Sequence, residues 1–229
     1  MLFVCLVPLV PWDVCCLSKQ SIPGPGRAQF NGVNIMAYSQ ETKTLLNHLS
    51  FGNIKLPKTT MIFNMGPAAM CPSDQLGLCQ CSAKCYAKKA ERLYPSVLPY
   101  RARQATLWQE WSAEQFIDAI IEISSKRTIK KFRFNESGDF YTQGCIDKLN
   151  TIARALKKLG IKTYGYSARH DLSFDNISFI VRGSGAEING LSYVAVKAST
   201  GNNLACPGSC KSCSACLSGK VKVIECIIH

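Results

Sequence analysis

The sequence alternates between strand-like and helix-like segments, and this alternation limits the folds open to it. Short β-rich runs occur at residues 59–64, 131–134, 161–166, 177–181 and 193–196. Helical segments separate several of these runs. Strands joined through helices pair in parallel, because each helix carries the chain back across the sheet. The pattern predicts an α/β fold, either a partial (β/α) barrel or an open, mainly parallel sheet.

Five helices are predicted, over residues 41–51, 86–94, 99–111, 113–125 and 143–159. Ser112 and Gln115 have the spacing of a capping box at the start of the fourth helix. The fifth has an apolar stripe and is closed by Gly160. The stripe consists of Ile146, Leu149, Ile152, Ala153, Leu156 and Leu159.

Three segments differ in character. Residues 1–35 begin with an apolar run that lacks the positive start of a signal peptide and is too short and too broken by proline to span a bilayer. We expect a leader that is disordered or does not belong to the natural protein, and no membrane partner. Residues 36–200 are the predicted α/β domain with an N-terminal cysteine cluster. Residues 201–229 are the predicted C-terminal four-cysteine metal-binding segment.

Eight of the thirteen cysteines fall into two tight clusters. The first contains Cys71, Cys79, Cys81 and Cys85, and the second contains Cys206, Cys210, Cys213 and Cys216. Clusters of this kind indicate metal binding in a reducing cytosol more than a secreted disulfide framework. The other five cysteines are expected to be ordinary thiols.

The second cluster has three, two and two residues between its cysteines. Pro207, Gly208 and small neighbours permit a tight wrap around one centre. Structural zinc usually takes its ligands from two separated pairs, whereas closely spaced runs with a proline beside a cysteine are typical of iron–sulfur ligation. We therefore expect an iron–sulfur cluster of the 4Fe-4S type, with zinc as the alternative.

The first cluster is less regular. Cys79 and Cys81 are close enough in sequence that binding of both to one ion is awkward, so Cys71, Cys81 and Cys85 are the preferred ligands and Cys79 is the weaker candidate. Three protein ligands would leave one metal position open, and open positions are where metal sites perform chemistry.

Several motifs together resemble the bacteriophage gene-product-88 family. They are Cys71-Pro72, Cys85-Tyr86-Ala87, the segment 133–140, the strand 164–168, and the final cysteine run followed by His229. The likeness extends from Leu45 to His229 and implies a phage protein in the cytoplasm of an infected bacterium. It implies no particular activity. In the family pattern a terminal histidine, here His229, accompanies the final cysteines. This implies a hydrogen bond from His229 to a ligand of the last cluster.

A looser likeness is to radical S-adenosylmethionine enzymes, which carry three cysteines, spaced by three and then two residues, after the first strand of a partial barrel. Cys81 and Cys85 match the first spacing, but Lys88 stands at the third position. The likeness implies S-adenosylmethionine as cofactor, with Ser137 and Gly138 in the segment that holds its methionine. The alternative is an ordinary strand-to-helix turn in which Gly138 supplies a positive φ.

Two acids follow the predicted strand at 131–134. Glu136 and Asp139 would lie at the carboxyl edge of a parallel sheet, where such folds place their sites. They are candidate catalytic residues that orient a substrate or carry protons. The alternative is a turn with solvated carboxylates.

The chain has 27 Lys and Arg against 15 Asp and Glu, a formal charge of +12. This balance favours an anionic partner such as nucleic acid. Tyr86, Tyr94 and Tyr100 alternate with basic residues near the first cluster, as in a phosphate-binding face with stacking platforms. Two functions follow from the sequence. One is a redox or radical-type iron–sulfur enzyme acting on a nucleotide or nucleic acid, and the other is a non-catalytic nucleic-acid-binding protein with structural metal.

Overall fold

The computed structural model describes residues 38–227, so the predicted leader and His229 lie outside the described residues. Six α-helices lie within this range: α1 (Gln40–Leu46), α2 (Pro72–Gln75), α3 (Tyr86–Leu93), α4 (Val97–Glu110), α5 (Ala113–Lys126) and α6 (Gln143–Lys158). The strands of the same range are β1 (Ser50–Phe51), β2 (Thr60–Phe63), β3 (Lys131–Phe134), β4 (Lys162–Ser167), β5 (Ile180–Ser184), β6 (Ser192–Val196), β7 (Leu204–Ala205) and β8 (Val223–Ile227).

All eight strands form one open sheet in the order β1-β2-β3-β4-β5-β6-β8-β7. Only β1 pairs antiparallel with its neighbour, and the other pairs are parallel. The predicted α/β class with an open, mainly parallel sheet is confirmed. The C-terminal segment contributes to this sheet, because β8 pairs with β6 along its whole length and β7 pairs with β8.

The predicted elements agree with the structure within a few residues, and the differences have local causes. The first helix ends at Leu46, five residues early, because Ser50 and Phe51 pair with β2. The strand predicted at 177–181 is displaced to β5, since the Ser178 amide donates to Asn150 Oδ1 on α6 before the ladder starts. The capping box of Ser112 and Gln115 is confirmed at α5.

One face of the sheet forms the main core with the helices. Phe132 and Phe134 are buried there, and the register places Met61 and Phe63 of β2 beside them. Phe116 of α5 meets Phe63 edge to face with ring centroids 5.3 Å apart. Five residues of the predicted α6 stripe, from Ile146 to Leu156, lie in the same core. Leu159 follows the end of the helix and is 45% exposed, so that part of the prediction is wrong.

The opposite face of the sheet is polar and aromatic. Arg133 pairs in register with Tyr164, and Tyr166 pairs with Arg182, so these side chains project from the same side. This side of β4 and β5 contacts the 3₁₀ turn Ala215–Leu217. The C-terminal cysteine segment therefore covers the face that the helices leave open.

None of the helices between residues 38 and 227 combines the length and the apolar character needed to cross a membrane.

Candidate metal centres

The first cysteine cluster lies in the loop that joins β2 to α3. Ser73 Oγ of this loop donates to Asp139, which follows β3, over 2.5 Å. Asp139 also accepts from the Ala168 amide, which follows β4, and the Gln80 side chain packs against Gly185, which follows β5. The loop thus lies along the carboxyl ends of the parallel strands, where open α/β sheets bind their ligands. We call residues 71–85 the edge loop.

The start of this connection is held to the loop after β3 by backbone contacts. Gly138 has φ of +70°, and a Cβ there would stand 2.6 Å from the Gly66 carbonyl oxygen. The Ser137 amide donates to Asn64 Oδ1 over 3.0 Å, and the Met65 amide donates to Asn135 Oδ1 over 3.1 Å. Ser137 and Gly138 therefore join two loops, as in the predicted strand-to-helix turn. Their role with S-adenosylmethionine stays a prediction.

Asp139 is buried and surrounded by hydrogen-bond donors. Besides Ser73 and Ala168, the Ser167 hydroxyl and the Phe140 amide donate to it over 2.7 and 2.8 Å. Burial raises the pKa of this carboxyl, and the four hydrogen bonds oppose the rise. Asp139 therefore joins three segments at the carboxyl edge, and its predicted catalytic role stays a prediction.

Glu136 has a different set of partners, although it is only three residues from Asp139. Its Oε1 accepts from Asn53 Nδ2 over 2.8 Å and from Arg133 Nη1 over 3.0 Å. The Tyr86 hydroxyl donates to its backbone carbonyl over 2.6 Å. The two predicted catalytic acids thus share no hydrogen-bond partner in the described structure, and Glu136 belongs with the polar face of the sheet.

The thiols of the edge loop are not equivalent. Cys79 Sγ and Cys81 Sγ are 3.4 Å apart, and the hydrogen bond from Cys81 lowers the pKa of Cys79 to about 6 while the pKa of Cys81 is raised. Burial and the charge of Asp139 raise the pKa of Cys71 to about 11. Cys79, the weaker candidate by spacing, is therefore the thiol of this pair that ionises first.

Lys88 occupies the position at which the radical-enzyme pattern has its third cysteine. Its Nζ lies 2.6 Å from Asp74 Oδ2 and 3.2 Å from Ser82 Oγ. The ammonium group therefore ties α3 to the edge loop. A lysine at this position has a structural use that a cysteine would not provide.

The second cysteine cluster lies on the polar face of the sheet. Its four cysteines line one small cavity together with Lys131, Tyr164 and Ile224. The Cys206 amide donates to the Glu225 carbonyl over 2.7 Å, and the Cys210 amide donates to the Lys55 carbonyl over 3.0 Å. Backbone hydrogen bonds thus anchor this segment to β8 at one point and to the loop after β1 at another. We call residues 206–216 the face segment.

Arg182 lies beneath the face segment and is fully buried. Its guanidinium donates to the carbonyls of Ala215, Ser218 and Lys222 over 2.9, 2.6 and 3.3 Å. Within residues 38–227 it has no carboxylate partner, and its Nε has no hydrogen-bond acceptor. A buried cation of this kind requires negative charge nearby.

Cys216 is the thiol next to this cation. Burial raises its pKa, while a hydrogen bond from Tyr166 and the charge of Arg182 favour the thiolate. Burial likewise raises the pKa of Cys210, and the charge of Arg133 opposes the rise. Arg182, which is buried, and Arg133, which is partly buried and paired with Glu136, therefore oppose the effect of burial on these thiols without outweighing it.

The comparison with known families agrees with the motifs. The model of the family described as gene product 88 matches residues 34–202, well over half of the chain. The chain belongs to the gene product 88 family. The match includes the edge loop and ends before Cys206. No curated protein and no solved structure matches the chain.

The thiols of this gene product 88 chain are groups that bind metals, but their positions do not form a ligand set. The ten cysteines between residues 38 and 227 are all free thiols. In the same range no three Cys, His, Asp or Glu side chains are placed to hold one metal ion. Four thiols around one cavity are nevertheless the donor set that iron–sulfur clusters and structural zinc use. Arginine side chains lie beside these thiols.

Sequence reasoning missed several residues that build these sites in the gene product 88 chain. Arg182 and Tyr166 support the face segment, while Ser73 holds Asp139. A signal was present for Arg182, since a charged residue inside the apolar run FIVRG is unusual for a buried strand. Ser73 had none, because serine is common in loops.

Proposed function

We propose that the chain is an iron–sulfur protein with two unequal centres. The face segment, Cys206, Cys210, Cys213 and Cys216, would hold a closed 4Fe-4S cluster that stabilises the fold or relays electrons. Cys71, Cys81 and Cys85 of the edge loop would hold a second cluster with one open position. The second centre would serve a redox or radical-type reaction on a nucleotide or nucleic acid, in the cytoplasm of an infected bacterium.

The observation that carries this proposal is the position of the edge loop. It brings three candidate ligands to the carboxyl ends of parallel strands, where side chains and loop backbone from neighbouring strands converge. Cys85 directly precedes α3, and Cys71 lies beside Asp139. An iron with an open position at this edge would supply one-electron chemistry next to the site of substrate entry.

The environment of the face segment supports a closed centre there. Arg182 is a buried cation near the thiols and Arg133 is a partly buried one, and a cluster ligated by four thiolates carries net negative charge. Tyr166 donates a hydrogen bond to Cys216, and hydrogen bonds to cluster sulfur raise the reduction potential. Gly208 has φ of +74° with open space where a Cβ would be, which leaves the segment free to draw its thiols together.

The alternative is a non-catalytic, basic nucleic-acid-binding protein in which both metal centres, zinc or iron–sulfur, are structural. The same free thiols support it, because zinc also binds four cysteine ligands and a structural metal contributes directly to folding free energy. In its zinc form the alternative differs from the first proposal in metal content. It also predicts no response to S-adenosylmethionine, the cofactor that the radical likeness implies for the edge loop.

Metal analysis after anaerobic purification tests the proposal. We expect about eight irons with matching sulfide per chain, as two 4Fe-4S clusters require. Cys206→Ser with Cys216→Ser should remove one half, and Cys81→Ser with Cys85→Ser should remove the other. Cys145→Ser, at a partly buried cysteine of α6 outside both clusters, is the matched control and should leave the iron unchanged. Stoichiometric zinc without sulfide would establish the alternative, and a metal-free protein would overturn both.

A separate experiment tests the open coordination position of the edge-loop cluster. Adding S-adenosylmethionine to the reduced, iron-loaded protein should change the EPR spectrum of the edge-loop cluster alone. The variant that lacks Cys206 and Cys216 should retain that response. An unchanged spectrum in a sample that contains both clusters would contradict the radical-type reaction.

A further inference from the structure

We propose that the exposed side of α3 and the turn after it bind single-stranded nucleic acid. Six exposed side chains form this surface, which we call the α3 surface: Lys84, Tyr86, Lys89, Arg92, Leu93 and Tyr94. In a helix, residues three, four and seven positions apart lie on the same side. Tyr86, Lys89 and Leu93 have this spacing, and Arg92 lies beside Lys89. The surface is therefore a continuous strip of basic, aromatic and apolar groups.

All the charged side chains of the α3 surface are basic. Glu91 is the only acid between residues 83 and 103, and its side chain is turned inward. It accepts from the Ala68 and Ala69 amides over 2.7 and 3.0 Å and from Arg101 over 2.8 Å, and only 6% of it is exposed. The only carboxylate of this stretch therefore points away from the α3 surface.

The cations of the strip are available to a ligand. Lys84, Lys89 and Arg92 have no ion-pair partner within residues 38–227. Lys88, by contrast, is paired with Asp74 and contributes less charge to the surface. Three unpaired cations within nine residues favour an anionic partner, such as a phosphate backbone, over an uncharged one.

The aromatic rings favour a single strand over a duplex. Tyr86 is 62% exposed and Tyr94 is 59% exposed, which is unusual for large side chains at a monomer surface. The bond from the Tyr86 hydroxyl to the Glu136 carbonyl holds that ring in place while its face remains open. Unpaired bases stack on such rings, whereas the bases of a duplex are already stacked on one another.

The α3 surface begins at the edge loop, so a bound strand would pass beside Cys81 and Cys85. Only the statement that a strand would pass beside Cys81 and Cys85 rests on the proposed function. Binding itself depends on the surface alone, and it is measured on samples whose metal content is determined separately.

Fluorescence anisotropy with labelled 20-nucleotide oligo(dT) and oligo(U) tests the inference. Tyr94→Ala should weaken binding by about tenfold or more, the loss expected when a stacked base loses its ring. Tyr94→Phe, which keeps the ring, should bind as the wild type does. Lys89→Ala with Arg92→Ala should lower the slope of log K against log salt by about 1.4, which is two phosphate contacts on a single strand.

The matched control is Lys157→Ala with Lys158→Ala, two exposed lysines at the end of α6. It removes the same charge from another helix and should leave the affinity nearly unchanged. An equal loss in the control pair would overturn the inference, because any basic surface would then serve. Equal affinity for a duplex, binding to anionic vesicles without binding to oligonucleotide, or no binding at all would overturn it as well.

Discussion

The edge loop and the face segment both carry four cysteines, but they place them in opposite electrostatic surroundings. In the edge loop, Cys71 lies beside the buried carboxylate of Asp139, which disfavours a second negative charge. In the face segment, Cys216 and Cys210 lie beside Arg182 and Arg133, which favour negative charge. Cysteine therefore meets a buried carboxyl group at one site. At the other it meets the buried guanidinium of Arg182 and the partly buried Arg133, which is also paired with Glu136.

The difference bears on the two centres of the proposed function. At the face segment, the buried guanidinium of Arg182 would compensate the charge of a thiolate-ligated centre. At the edge loop, the thiols differ in pKa and Cys71 lies near a buried acid, so a metal there would be less well compensated. Three measurements test this difference.

The largest effect is expected from removing the cation under the face segment. Arg182→Met leaves three partly buried carbonyls without their donor, and we expect a loss of about 3–5 kcal/mol in the free energy of unfolding. Urea unfolding measures it, and the metal of the face segment should fall in the same variant. Arg154→Met, at an exposed position of α6, is the control and should change stability by less than about 0.5 kcal/mol. A stable Arg182→Met protein with full metal content would show that the cation is dispensable.

A smaller effect is expected where the loop after β3 meets the loop after β2. Two glycines with similar backbone conformations but different surroundings measure it. Gly138 and Gly160 have φ of +70° and +73°, but only Gly138 has another backbone within reach of a Cβ. We expect Gly160→Ala to cost about 1 kcal/mol, from backbone strain alone. Gly138→Ala should cost about 3 kcal/mol, because the new methyl group also meets the Gly66 carbonyl. Equal costs by urea unfolding would mean that the two loops can separate freely.

The smallest effect concerns the ionisation of the thiols in metal-free protein. A thiol is alkylated as its thiolate, so the rate rises as the pH passes the pKa from below. Since the pKa of Cys79 is lowered to about 6, its rate of modification by iodoacetamide should reach half its maximum near pH 6. Cys71, with a pKa of about 11, should stay slow up to pH 9.

Mass spectrometry of proteolytic peptides separates the two sites. Cys81→Ser is the informative variant, because a serine hydroxyl can still donate to Cys79 and should leave the pKa of Cys79 low. Cys81→Ala removes the donor, and the midpoint should move up toward 9, the ordinary value. A midpoint near 9 in the wild-type protein would contradict the sulfur pair.

Much of the fold followed from local pattern. The stripe of α6, the capping box of α5 and the alternation of KFRF in β3 each depend on residues close together in the sequence, and each occurs where it was predicted. β7 and β8 were missed, because they depend on pairing with β6 and not on a strong pattern of their own. β1 was missed for the same reason, since two residues carry no periodicity.

The sequence by itself determined the strand–helix order, the two cysteine clusters, the excess of basic residues and the family of the chain. These are properties of composition and spacing, so they need no knowledge of distant contacts. Only the tertiary structure decided that Asp139 faces Ser73 and Ser167 while Glu136 accepts from Asn53. It also decided that Arg182 lies under the second cluster and that Glu91 turns away from the α3 surface. Those relations join residues tens of positions apart, and the parallel pairing of strands sets them.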